Sequence, residues 1–153
     1  MASSNKTPRL HLNQWALTDA LRMEDFNRDN LILDEAFRYS ANISFGSYTG
    51  DGRCGAGAPT YFSFDFMPIL IIISGKGGYA DSPELAETSV VLMKNSSSAG
   101  YTVSVGGQTR NIDLNCSFDG TIASFYSESS GAYAASEQLN ALGETYHYAA
   151  IGL

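Results

Sequence analysis

The sequence predicts a mainly β protein, in which an extended N-terminal arm and a short helix over residues 1–40 precede an antiparallel β-sandwich over residues 41–153. Three observations carry this. Fifteen glycines and 12% aromatic residues stand beside only 16% charged residues, a balance suited to short strands and tight turns. Apolar residues recur at helical spacing as far as Phe37, and from Ala41 the period becomes two. The pairs Gly106-Gly107 and Asp119-Gly120 each separate two alternating runs, the signature of two-residue hairpin turns.

Residues 1–11 are polar and contain Pro8, which lacks a backbone donor, so they read as an extended arm. Thr18 or Asp19 can accept a first-turn amide and cap a helix that runs from about Asp19 or Met23 to Phe37. Glu24 and Asp25 fall in its early turns and Arg38 at its end, as the macrodipole favours. Met23, Phe26, Asn30, Leu33 and Phe37 recur at intervals of 3, 4, 3 and 4 and form one seam. Such a seam is buried either against the chain's own β domain or against identical helices. A lone Asn among apolar positions fixes register between identical helices, and Asn30 therefore tilts the reading toward assembly.

In the body, Ile43–Thr49 reads as a strand followed by a glycine-rich surface loop. Phe62, Phe64 and Phe66 share one strand face and are expected in the core. Ile69–Ile73 is a continuous apolar run, expected as a central strand with both faces covered, and Pro68 marks a bend or an edge before it. Ile112, Leu114, Cys116 and Phe118 line one face of the second hairpin, which makes Cys116 a small buried apolar residue. Residues 127–144 form a polar Ser/Ala-rich excursion. The last strand, Thr145–Ile151, sets Tyr146, Tyr148 and Ala150 against His147, Ala149 and Ile151, and closes the fold.

Charge and motif content narrow the function. With 9 basic and 16 acidic residues the net charge is -7, which gives nucleic acid no basic surface. Cys54 and Cys116 have no metal-ligand spacing and read as free thiols. No apolar h-region marks an export signal, and Met67–Ile73 is too short to span a bilayer. Neither glycine-rich loop carries the Lys-Ser/Thr ending of a phosphate loop. Asp65, Asp113 and Asp119 form no evident acid and base pair, and His11 and His147 have no nucleophile motif beside them. The chain is therefore read as a non-enzyme without metal or other cofactor. Loops rich in Tyr, Ser, Gly and Asn have a recognition composition, and Tyr79, Tyr126 and Tyr133 are the candidate ligand contacts. The competing reading packs these tyrosines in the sandwich or between copies.

Two resemblances sharpen this. Leu12-Asn13-Gln14-Trp15, Thr18-Asp19, Met23-Glu24-Asp25-Phe26-Asn27 and Asp29-Asn30 resemble the N-terminal cassette LNxWExxDxxxMEDFNxDNxxID of tail-fibre and baseplate-associated proteins from phages and prophages of Gram-positive bacteria. Ala16 stands where that pattern has an acidic residue, Arg28 where it has a small one, and its I-D pair is displaced to Leu33-Asp34. Gly46-x-Tyr48-Thr49-Gly50-x-Gly52, Phe64-x-Phe66-x-Pro68 and Leu139-Asn140-x-x-Gly143-x-x-Tyr146-x-Tyr148-Ala149-x-Ile151-Gly152 are similar to a β module near the C-termini of such proteins. The resemblance implies attachment to the virion through Leu12, Asn13, Trp15 and Asp19, and a helix that bundles three copies. The expected function is a homotrimeric virion component, made in the host cytoplasm, that displays a β domain binding a host-surface glycan or protein. A purely structural head-fibre, collar or decoration protein is the alternative.

Overall fold

The computed structural model describes residues 5–38 and 41–153, and the chain forms two compact units, residues 1–40 and 41–153. In the first unit, β1 (Asn5–Lys6) pairs antiparallel with β2 (Asn13–Gln14). The predicted extended arm is thus a small hairpin. Pro8 lies in its turn, where a missing donor costs nothing, and His11 takes a left-handed φ of 54°. The Thr7 amide donates to Leu12 O at 2.9 Å and the Thr7 hydroxyl accepts the Leu12 amide at 2.9 Å. Helix α1 spans Met23–Arg38. Asp19 does not cap it: its Oδ2 accepts the Ala16 amide at 2.8 Å, closing a separate turn before the helix begins.

The second unit contains β3 (Asn42–Thr49), β4 (Thr60–Ser63), β5 (Pro68–Gly78), β6 (Leu85–Met93), β7 (Ser98–Val105), β8 (Gln108–Asp119), β9 (Ile122–Tyr126), α2 (Ala134–Glu137) and β10 (Thr145–Gly152). They make two four-stranded antiparallel sheets, ordered β3-β10-β5-β6 and β4-β9-β8-β7. Alternating inward residues of both sheets meet in one core that includes Phe62, Phe66, Ile71, Ile73, Leu114 and Phe125. The Gly106-Gly107 turn is as predicted, with both φ angles positive and Val105 opposite Gln108. The second hairpin turns one residue later than predicted, at Gly120-Thr121, because Asp119 already pairs with Ile122. The last strand, β10, lies between β3 and β5, and Pro68 opens β5, where a ladder donor is dispensable.

Within the second unit, the Ile69–Ile73 run is covered on one face only. Ile71 and Ile73 are fully buried, whereas Ile72 is 41% exposed. Register aligns its outward residues with those of all four strands. Phe45, Ala149, Ile72 and Val91 form one row, and Ile43, Ile151, Leu70 and Met93 the next. The following row, Ser47, His147, Ser74 and Ser89, is polar. Half of the outer surface of this sheet is therefore apolar and uncharged.

The polar excursion is the structural hub. Gln138 is fully buried; its Oε1 accepts the amides of Gly55 at 2.8 Å and Ser127 at 3.2 Å, and its Nε2 donates to Ala58 O at 2.9 Å. Glu137 Oε1 accepts the Ala80 amide at 2.8 Å, and Oε2 accepts the Ser129 hydroxyl. Three tyrosines reach the same turn. Tyr101 donates to Glu137 O at 2.7 Å, Tyr48 to Leu139 O at 2.8 Å, and the Tyr146 oxygen accepts the Ala141 amide at 3.0 Å while donating to Lys76 O. Burial raises the pKa of all three hydroxyls, that of Tyr146 to about 12.

Truncating Gln138→Ala strands the amides of Gly55 and Ser127 and the carbonyl of Ala58 and should lower unfolding stability by about 2–4 kcal/mol, read as a reduced urea midpoint at unchanged slope. The raised tyrosines set the sign at high pH. The folded state keeps protons that the unfolded chain releases above its ordinary pKa of 10.0, so this stability is complete below pH 10 and falls as pH rises through about 12. The part of the tyrosinate absorbance that comes from these three hydroxyls should therefore appear together with loss of secondary structure in an alkaline titration, and should be missing from the transition in the Tyr48→Phe, Tyr101→Phe, Tyr146→Phe triple variant.

Candidate functional site

The hub positions a cleft at one end of the second unit. The loop after β3 is tied down along its length: the amide of Gly50 donates to Glu144 O at 2.8 Å, that of Gly52 to Asn140 O at 2.9 Å, and that of Asp51 to Asn140 Oδ1 at 3.1 Å. A Cβ on Gly50 would stand 2.0 Å from Ala141 O, so only glycine permits this approach. Gly46 and Gly152 are equally constrained, against Tyr148 and against Phe66 with Met67 O. Gly46, Gly50 and Gly152 are thus among the contacts that close this unit on itself.

The cleft holds about 350 Å³, within the size range of small-ligand sites, and is lined by Tyr48, Asp51, Arg53, Thr60, Tyr61 and Asn140 among others. Asp51 Oδ2 accepts from Arg53 Nε at 2.8 Å and pairs with Nη2 at 2.6 Å. Asn140 Nδ2 donates to Asp51 Oδ1 at 2.7 Å and to Arg53 O at 2.8 Å. The Arg53 side chain and Asn140 hold the Asp51 carboxyl down at about 2. Tyr61 is 66% exposed and offers a free-standing ring. Fixed planar polar groups beside an exposed aromatic face match what hydroxyl-rich rings require, hydrogen bonds in the ring plane and stacking above it.

On the other side of Asp51 lies a second cleft of about 440 Å³, lined by Tyr133, Leu142, Pro83 and Leu85. Tyr133, a predicted contact, is 43% exposed here. Tyr126 is half-buried at the end of β9. Tyr79 is not a surface residue. It is 2% exposed, donates to Gln108 O at 2.6 Å and Val103 O at 2.9 Å, and is covered by the Arg110 guanidinium 4.4 Å from its ring centre. The following Ala80 is held by Glu137, which turns Tyr79 inward. Tyr61, Asp51, Arg53 and Asn140 escaped sequence reading. Their signal was the pairing of Gly50-x-Gly52 with Asn140-x-x-Gly143, two strings about ninety residues apart that meet only in the fold.

In the first unit the cassette residues fasten the hairpin to α1. Asp29 accepts the Asn13 amide at 3.0 Å and the Asn13 Nδ2 at 3.0 Å. Arg28 Nη2 bridges Asn13 Oδ1 at 3.2 Å and Asp25 Oδ1 at 3.1 Å. Trp15 stacks on Phe26 with ring centres 5.3 Å apart. Asp25 is buried, and its Oδ2 has no hydrogen-bond partner among the described residues, although its place in the first helical turn favours its charge. Leu12 is half-buried, and Asn13, Trp15 and Asp19 each make contacts inside the unit. Leu17 and Leu21 are instead the exposed apolar side chains between hairpin and helix. Along the seam, Met23 is 72% and Phe26 41% exposed, Asn30 is exposed, Leu33 is half-buried and Phe37 is exposed.

Among the described residues no group of three or more His, Cys, Asp or Glu side chains is placed to hold a metal ion, and no helix is long and apolar enough to cross a membrane. Cys54 and Cys116 are free thiols; Cys116 is buried with its Sγ 3.1 Å from Ser96 O, and burial raises its pKa.

Because Asp51 has a lowered pKa, its ionised form and the Arg53 clamp are complete above about pH 4 and are lost as pH falls through about 2. Carboxyl-carbon NMR should place its midpoint near 2, and Arg53→Ala should move it toward 3.8. No family model matches the chain, and neither a curated protein nor a solved structure matches it.

Proposed function

We propose that this chain is a homotrimeric phage virion component of the tail-fibre or baseplate-associated kind, which presents its β unit to a glycan on the host surface. The observation that carries the ligand class is the cleft formed by Tyr61, Asp51, Arg53 and Asn140, whose polar groups are already fixed in position by one another. Little side-chain entropy is left to lose on binding, which favours a rigid, hydroxylated ligand. Assembly and attachment rest on the cassette spacing and on the apolar groups that the first unit exposes, Met23 along the seam and Leu17 and Leu21 beside it. Three linked copies convert weak single-site contacts into lasting attachment by raising the effective concentration of the second and third sites.

The alternative is a head-fibre, collar or decoration protein that binds only virion neighbours. It draws on the uncovered apolar face of the β3-β10-β5-β6 sheet, the kind of surface that a packed component buries. Binding of full-length protein to isolated host cell wall separates the two. The host-binding reading expects saturable binding that falls about two- to tenfold in Tyr61→Ala, as loss of one stacked aromatic implies. Absence of binding to every host surface tested supports the structural alternative.

A further inference from the structure

Within the second unit, no described residue covers the apolar half of the β3-β10-β5-β6 sheet face. Phe45 is 78% exposed, and Ile43, Ile72, Val91 and Met93 lie between 41% and 59%. Together they leave on the order of 600 Å² of apolar area uncovered, the upper end for a monomer's largest patch and close to the roughly 800 Å² that each partner gives to a stable interface. We propose that this face is the interface between β units of identical copies of this chain, separate from the helical seam.

Three observations select a second copy as the occupant. The two rows carry no charged residue, in a chain of net charge -7 whose copies repel one another wherever carboxylates face each other. A glycan or a charged polymer would find no hydrogen-bonding side chain in these rows, whereas another apolar face is complementary to them. The area supplies a large part of what each partner gives to a stable pairing, about 800 Å². The patch begins at Ile43, six residues after Phe37 at the end of the seam, so association of the helices would hold the β units at high effective concentration. Identical faces can then meet around a closed symmetry axis, which prevents open-ended growth. The inference rests on the homotrimeric reading for its copy number but not for the location of the contact.

The test is sedimentation equilibrium of the full-length protein, comparing wild type with Phe45→Glu, Val91→Glu and the seam variant Phe26→Asp. Phe45 and Val91 lie on opposite edge strands with their side chains outward, so each glutamate should leave the monomer's thermal midpoint unchanged. Both glutamate variants are expected to weaken association by at least about tenfold, since each places a charge in an apolar contact. Unchanged association of both glutamate variants overturns the proposal. If Phe26→Asp dissociates the protein and the glutamates do not, the seam alone assembles the chain and the sheet-face interface is excluded. If the glutamates dissociate it and Phe26→Asp does not, the sheet-face interface stands and the seam reading falls. A wild-type chain that stays monomeric at high concentration overturns both.

Discussion

The second unit depends on one short buried turn, Glu137 to Ala141. Its side-chain contacts replace water with groups from other parts of the chain. Gln138 holds the loops after β3 and β9, Glu137 holds the segment after β5, and three tyrosine hydroxyls from β3, β7 and β10 satisfy the turn's own backbone. Leu139 adopts a left-handed φ of 53°, a conformation that is unfavourable for a side chain with a Cβ and that the surrounding contacts impose. In a low-dielectric interior such a network is worth having only when nearly complete, because each missing partner leaves a desolvated group behind. That completeness makes the loop end rigid, and rigidity gives the Asp51-Arg53-Asn140 arrangement its fixed geometry.

Much of the fold was legible because it is written in alternation. The inward Phe62, the hairpin at Gly106-Gly107, and the burial of Ile112, Leu114 and Cys116 along one face of β8 follow from period two with turn residues between, whereas Phe66 reaches the core from a bend beyond the end of β4. The hub was not legible, for a physical reason. A buried Gln or Glu looks like a surface residue until its partners are known, and those of Gln138 lie about eighty residues upstream at Gly55 and Ala58. The same limit hid the cleft, since Tyr61 and Asn140 become neighbours only through the loop that Gln138 holds. Tyr79 misled in the opposite direction: a tyrosine in a glycine-rich segment suggests display, yet Ala80 is anchored and its ring is driven inward.

The first unit is held by pairs that are separated in sequence. Asn13 with Asp29, and Trp15 with Phe26, fasten hairpin to helix. The Ile run shows what periodicity leaves open. A continuous apolar stretch implies that both faces become covered, but it does not say by what. Here the chain covers Ile71 and Ile73 and leaves Ile72 exposed. The molecule thus separates two kinds of surface, a polar preorganised loop end and an apolar uncharged sheet face, whose chemistries suit different partners.

Amide hydrogen exchange of the full-length protein, with and without host cell-wall glycan, tests the account's central claim most directly. Slowed exchange confined to residues 50–61 and 140–142, with Ile43–Phe45 and Val91–Met93 unaffected by the glycan, is the expected result. Glycan binding that leaves the loop end unprotected, or that protects the outer sheet face instead, would contradict it.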